Sequence, residues 1–126
     1  MLLSLTHDID GKSGFVHVEA DDLLYISFDS MTNRVSFHTS DHEYFAMGTL
    51  KYFIETFLHS GYVFEKVDRN NAVNMQKVTL VDEKMGLVYF DTMPGRRAKK
   101  CTVAVSNFKN ILLKLKSSNP DIAVLR

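Results

Sequence analysis

The chain has 126 residues, 45% apolar and 24% charged, which suits one domain with its own core and excludes a disordered chain. Its 15 Lys and Arg residues balance 15 Asp and Glu residues, so the net charge is zero and any nucleic-acid binding must rest on a local basic face. No apolar run approaches the ~18 residues of a membrane span, Met1–Asp8 has no basic leader and no long apolar stretch, and a lone Cys101 excludes an internal disulfide and suits a reducing cytosol.

Residues 1–14, with Gly11, Ser13 and Gly14, read as a tail or short edge. Phe15 to Glu19 alternates and predicts a strand. After Asp21-Asp22, the run Leu23 to Phe28 predicts a largely buried strand. Asp29 to Asn33 is a turn cluster, Arg34 to Thr39 pairs back as a hairpin, and His42 to Ala46 returns as a further strand. Helical spacing begins after Gly48. Thr49 is suited to cap a helix, Leu50, Phe53, Ile54, Phe57 and Leu58 form one apolar stripe, and Gly61 ends it. Tyr62 to Val67 is extended, and Ala72 to Met75 is a short element that one helical turn would fit. Lys77 to Val81 and Leu87 to Phe90 read as a hairpin around Gly86, followed by a Pro94-Gly95 turn and a strand from Cys101 to Val105. Ser106 is placed to cap a last helix from Asn107, whose stripe is Phe108, Ile111, Leu112 and Leu115, and Asn119-Pro120 ends it.

The sum is mainly β with two short helices. The strand-turn-strand order argues for antiparallel pairing and against a βαβ nucleotide fold. Acidic residues gather early (Asp8, Asp10, Glu19, Asp21, Asp22, Asp29) and basic ones late (Arg96, Arg97, Lys99, Lys100, Lys109, Lys114, Lys116), as one basic face would require.

The stretch Phe64-Glu65-Lys66-Val67-Asp68-Arg69-Asn70-Asn71-Ala72-Val73-Asn74 resembles the central signature of LytTR-type DNA-binding domains, roughly Phe-x-Arg-x-His-Arg-Ser-x-x-Val-Asn. The likeness covers about three-quarters of the chain, from Val16 to Leu115. Asp21 to Ile26 is similar to the family's acidic-then-apolar strand, Gly48 to Phe64 to its helix and exit, and Cys101 to Phe108 to its last strand and the start of its C-terminal helix. The evidence is their order and spacing together. The resemblance implies elongated antiparallel hairpins whose loops enter successive major grooves of duplex DNA, with residues 15–126 as the DNA-binding domain. It further implies a cytosolic bacterial transcription factor, an output domain of the response-regulator type, bound at paired direct repeats with one molecule per repeat, which allows a homodimer on DNA. No receiver domain is present here, so a stand-alone regulator, a fragment and an unusual member all stay open.

Carried over by position, the first loop offers Asn33 and Arg34, whose side chains match adenine and guanine edges. The second offers Lys66, Arg69, Asn70 and Asn71, and the third Ser106, Asn107 and Lys109. Base readout is expected of Arg69, Asn33 and Arg34, and backbone anchoring of Lys66, Asn70, Asn107 and Lys109. Arg96, Arg97, Lys99 and Lys100 are expected to steer phosphate. The chain departs from the pattern at Asp68 (commonly His), Asn70 (often Ser) and Ser106 (often Arg). The first should turn toward Arg69 or Lys66, and the last implies a different target sequence.

Blander readings stand beside these. Arg69 can pair with Asp68 as a surface charge, the Asn33 turn can be only a hairpin, and Asn71 and Asn74 can satisfy turn backbone, the role favoured for Asn74. His38 and His42 lose their metal-pair spacing outside a helix, and Cys101 reads as a core residue. No cofactor motif and no catalytic constellation is present in the sequence, so an enzyme is not expected. The alternative is a protein-binding module of the same fold that has lost DNA readout and takes a regulatory protein as partner.

Overall fold

A computed structural model describes residues 1–90 and 98–126, whose eleven strands lie in two sheets beside two α-helices. The larger sheet has the spatial order β2 (Phe15–Glu19), β1 (Leu2–Thr6), β5 (Glu43–Ala46), β4 (Arg34–His38), β3 (Tyr25–Asp29), β7 (Asn71–Asn74), β6 (Phe64–Asp68), and each of its pairs is antiparallel. The smaller runs β10 (Lys100–Thr102), β9 (Leu87–Tyr89), β8 (Leu80–Asp82), β11 (Ala123–Leu125). Helix α1 spans Leu50–Leu58, and α2 spans Phe108–Ser118 after a 3-10 turn over Val105–Asn107.

Helix α1 forms as its residues dictate. The Thr49 side chain accepts the Tyr52 N–H, and Gly61 takes φ +91 just past the end, where a Cβ would be strained. Four expectations change. Residues 1–14 are not simply a tail or short edge: Leu2–Thr6 form β1, which sits between β2 and β5, because Leu3 and Leu5 turn inward together with Val16 and Val18 of β2. Ala72 to Met75 is no helical turn. It carries strand β7, buried on both faces between β3 and β6, so it lacks the polar alternation that marks a half-buried strand. Ser106 does not cap α2: it lies within the 3-10 turn, and Asn107 takes the N-cap position without a side-chain bond. Finally, pairing is not wholly antiparallel, since β11 runs parallel to β8. The expected Pro94-Gly95 turn lies outside the described residues.

The alternation of the central strands distributes the core to two faces. Ile26, Phe64 and Ala72 point to one side, where α1 covers them with Leu50 and Phe57. Tyr25, Val67 and Val73 point to the other, where the smaller sheet and Ile111 and Leu115 of α2 close over them. The result is a layered arrangement of α1, the large sheet, and the small sheet with α2.

An aromatic stack joins the sheets. The Tyr25 ring centre lies 4.1 Å from that of His38 and 5.6 Å from that of Phe90, nearly parallel to both rings. Burial, and then the Lys99 ammonium, hold the His38 pKa down from 6.5 to about 4. Glu43 Oε2 lies 3.6 Å from Nε2 and favours the proton, but it is exposed and screened by water, so burial prevails. The unfolded chain therefore takes up this proton first as the pH drops. Stability should be full above about pH 6.5 and decline toward pH 4, by on the order of 3 kcal/mol. Urea unfolding at pH 7.5 and pH 5 should show this decline, and His38→Phe should flatten it. An equal decline in the variant would assign the effect to another group.

Candidate nucleic-acid interface

The register brings separate loops to one end of the large sheet. Asp29 pairs with Arg34 across the β3–β4 turn, Ser27 of β3 pairs with Asn71 of β7, and Asp68 pairs with Asn71 across the β6–β7 turn. Phe28 N–H donates to Asn70 O at 2.9 Å, tying the two turns together. At the same end, Thr6 meets Phe45 and Val35 meets Ala46, so the β1–β2 loop and the entry to α1 lie there too. The loop before α2 joins them through Ala104 N–H, which donates to Val67 O at 2.8 Å. Higher up α2, Lys114 Nζ bonds Glu65 Oε2 at 3.1 Å. The helix thus runs back along β6, and its N-terminus points toward the turns. The three loops singled out in the sequence therefore converge, although the second and third are about 35 residues apart along the chain.

A bulge shapes the second loop. Lys66 pairs with Ala72 and Asp68 with Asn71, so Val67 is the extra residue in β6. Val67 itself is buried, while Lys66, Arg69 and Asn70 are exposed. Asp68 does not turn to a cation: its carboxylate accepts the Arg69 backbone N–H. Among the described residues, no ion pair engages Lys66 or Arg69. Two other acids at this end, Asp29 and Asp8, behave alike. Asp29 accepts the Met31 N–H at 2.9 Å. Asp8 accepts the Lys12 and Ser13 N–H groups and the Ser13 hydroxyl, which together hold its pKa down at about 2. These carboxylates serve as loop staples rather than as partners for the free cations.

In the first loop, Asn33 takes φ +56, a conformation Asn tolerates better than most residues. Arg34 is occupied: its Nε donates to Ile9 O at 2.7 Å, and Nη1 donates to Thr32 O and Asn33 O at 3.1 and 3.2 Å. It braces the β1–β2 loop against the β3–β4 turn. In the third loop, Ser106 and Lys109 are exposed and Asn107 is half-buried. Asn71 is half-buried in β7, and Asn74 is structural: its Nδ2 donates to Leu23 O at 3.0 Å and its Oδ1 accepts the Gln76 N–H at 3.3 Å.

The basic run divides. Lys99 is half-buried and donates to His42 O at 2.7 Å; burial pulls its pKa down, with Glu43 and Asp41 opposing. It closes the inter-sheet seam rather than standing free. Lys100 is exposed on β10, and Arg96 and Arg97 lie outside the described residues.

Sequence reasoning missed one cation. Lys51, in the first turn of α1, lines a cleft of about 240 Å³ with Lys66, Arg69 and Asn70, floored by Phe28 and Leu50. Lys51 stands off the apolar stripe in the sequence, but only the sheet register shows that it meets the β6–β7 turn. No group of His, Cys, Asp and Glu residues among the described ones could hold a metal ion, and no described helix is long and apolar enough to cross a membrane.

A layered, mostly antiparallel fold with exposed basic loops at one end defines a class of domain, and comparison with known proteins names it. The chain belongs to the LytTR family: the model described as "LytTr DNA-binding domain" matches residues 13–116. That is a family of DNA-binding domains rather than of enzymes. Its fold is shared with a solved LytTr DNA-binding domain from a protein of Bacillus cereus described as a methyl-accepting/DNA response regulator. The TM-score is 0.66, with 15% identity over 90% of this chain and 94% of that one. None of the curated proteins compared matches the chain.

The division between structural and free side chains is measurable. Asn74→Ala should cost about 1–3 kcal/mol in urea unfolding, since it removes two bonds from a buried site. Arg69→Ala should stay within about 0.5 kcal/mol of the parent. A reversal of that order would place Arg69 in the fold rather than at a free surface.

Proposed function

We propose that this domain binds duplex DNA in a sequence-specific manner and regulates transcription, with its loops inserted in successive major grooves. The observation that carries this reading is the convergence of three loops on one end of the sheet, with Lys66, Arg69 and Lys109 exposed there and the carboxylates of Asp8, Asp29 and Asp68 turned onto backbone N–H groups. DNA binding draws most of its affinity from phosphate neutralisation, and a chain with no net charge can supply it only through such a local arrangement.

In this reading Arg69 reads a base edge, with Asn33 as a second reader. Arg34 reaches a base only on releasing the Ile9 carbonyl, so its first duty is to brace its own turn. Lys66 and Asn70, joined by Lys51, seat phosphate in the cleft beside α1, where the positive end of the helix dipole adds to the two lysines. Asn107 and Lys109 do the same at the start of α2, and Asn71 and Ser106 complete the loops. Lys100 steers phosphate, and the sequence offers Arg96 and Arg97 for the same role. The protein works in the bacterial cytosol as an output domain of the response-regulator type, on paired direct repeats with one copy per repeat. The second reading, a module that binds a regulatory protein, is favoured by an apolar cleft of about 310 Å³ lined by Ile9, Phe15, Phe45 and Met47, with Phe15 77% exposed.

Selection from random duplexes at two salt concentrations tests this directly. Enrichment of a repeated motif supports the DNA reading, whereas salt-sensitive binding without enrichment favours the protein-binding module. On the enriched duplex, Arg69→Ala should cost about 1–3 kcal/mol and relax preference at one position. Lys51→Gln and Lys66→Gln should each weaken binding to every sequence and reduce the salt slope by about one. Unchanged salt slopes would remove the cleft from the interface.

A further inference from the structure

Two apolar side chains stand out. Val105 and Met31 are each 94% exposed, more than any other large apolar residue described. A single exposed apolar residue is ordinary. These two, however, sit on two of the loops that converge at the turn end, Val105 beside Ser106 and Met31 two residues before Asn33. Each loop is held by its backbone. Ala104 N–H donates to Val67 O at 2.8 Å and Asn107 N–H to Ala104 O at 2.9 Å. Asn33 N–H donates to Asp29 O at 2.8 Å, and Asp29 Oδ1 accepts the Met31 N–H. The side chains themselves have no packing to maintain.

An aliphatic side chain carries no donor or acceptor. On the edges of the bases in the major groove it finds one complementary group, the C5-methyl of thymine. We propose that Val105 is a specificity-determining residue that reads a thymine methyl, and that Met31 makes a looser apolar contact of the same kind from the β3–β4 turn. The inference rests on the DNA-binding reading above. The two residues differ in stiffness. Val105 is β-branched and opens a helical turn, which restricts its rotamers and favours one base position. Met31 has a flexible, polarisable side chain that adapts to neighbouring bases.

This choice also fits position 106. Ser there lacks the guanine-reading fork of an Arg, so the third loop needs another source of discrimination. The adjacent Val105 supplies one by shape.

The test uses the duplex enriched by selection, with each thymine replaced in turn by deoxyuridine, which removes only the C5-methyl. Binding is measured for the parent chain, Val105→Ala and Met31→Ala. One replacement should weaken the parent about fourfold, the size of one buried methyl, and should have no effect on Val105→Ala. Met31→Ala should lower affinity without cancelling the effect of any single replacement. Because both side chains are exposed, thermal melting of the variants should match the parent and separate binding from folding. If Val105→Ala keeps the parent's sensitivity at every thymine, the assignment is overturned while the DNA reading stands. If no duplex is enriched, both fall together.

Discussion

The bulge at Val67 is the constraint on which the arrangement depends. Strand β6 is the edge of the large sheet, and at this bulge the Val67 carbonyl accepts the Ala104 N–H. That bond couples the large sheet to the segment that starts α2, and the buried Val67 side chain plugs the core beneath the smaller sheet. Two layers that share few backbone bonds are thereby fixed in one geometry, and loops far apart in the chain meet at one end.

Charge is arranged by position rather than by amount. Equal numbers of acids and bases would cancel if evenly mixed. Here Asp8, Asp29 and Asp68 are each drawn onto backbone N–H groups beside the free cations. Bonds of this kind hold a carboxylate in place at low entropic cost and stiffen the turn that carries it. Asp68, which looks unfavourable in the sequence where the family usually has His, serves here to close the turn that displays Arg69.

Much of this was legible beforehand, for identifiable reasons. Helix α1 carries its stripe, its Thr49 cap and its Gly61 stop within a dozen residues, all local signals. The hairpin of β3 and β4 alternates and turns through Asp29 to Asn33, so it too is local. Strand β7 was not legible, because burial on both faces removes alternation. Nor was β11, three residues long and stabilised by a partner more than forty residues away. Strand β1 was obscured by the glycines of the loop that follows it. For the interface, the signature located the loops, but whether a cation is free or engaged is set by tertiary contacts. Arg34 on the Ile9 carbonyl, Lys99 on the His42 carbonyl and Lys51 beside Arg69 all come from pairings that no short window contains.

The turns at the end of the sheet are held by main-chain atoms and by aspartate carboxylates, whereas Met31, Arg69, Val105 and Ser106 project from them without structural duty. Replacing such side chains leaves the free energy of folding nearly unchanged. Mutation can therefore explore these positions almost freely under purifying selection for the fold. That separation gives the scaffold high evolvability, because new specificities become accessible by single steps through stable intermediates.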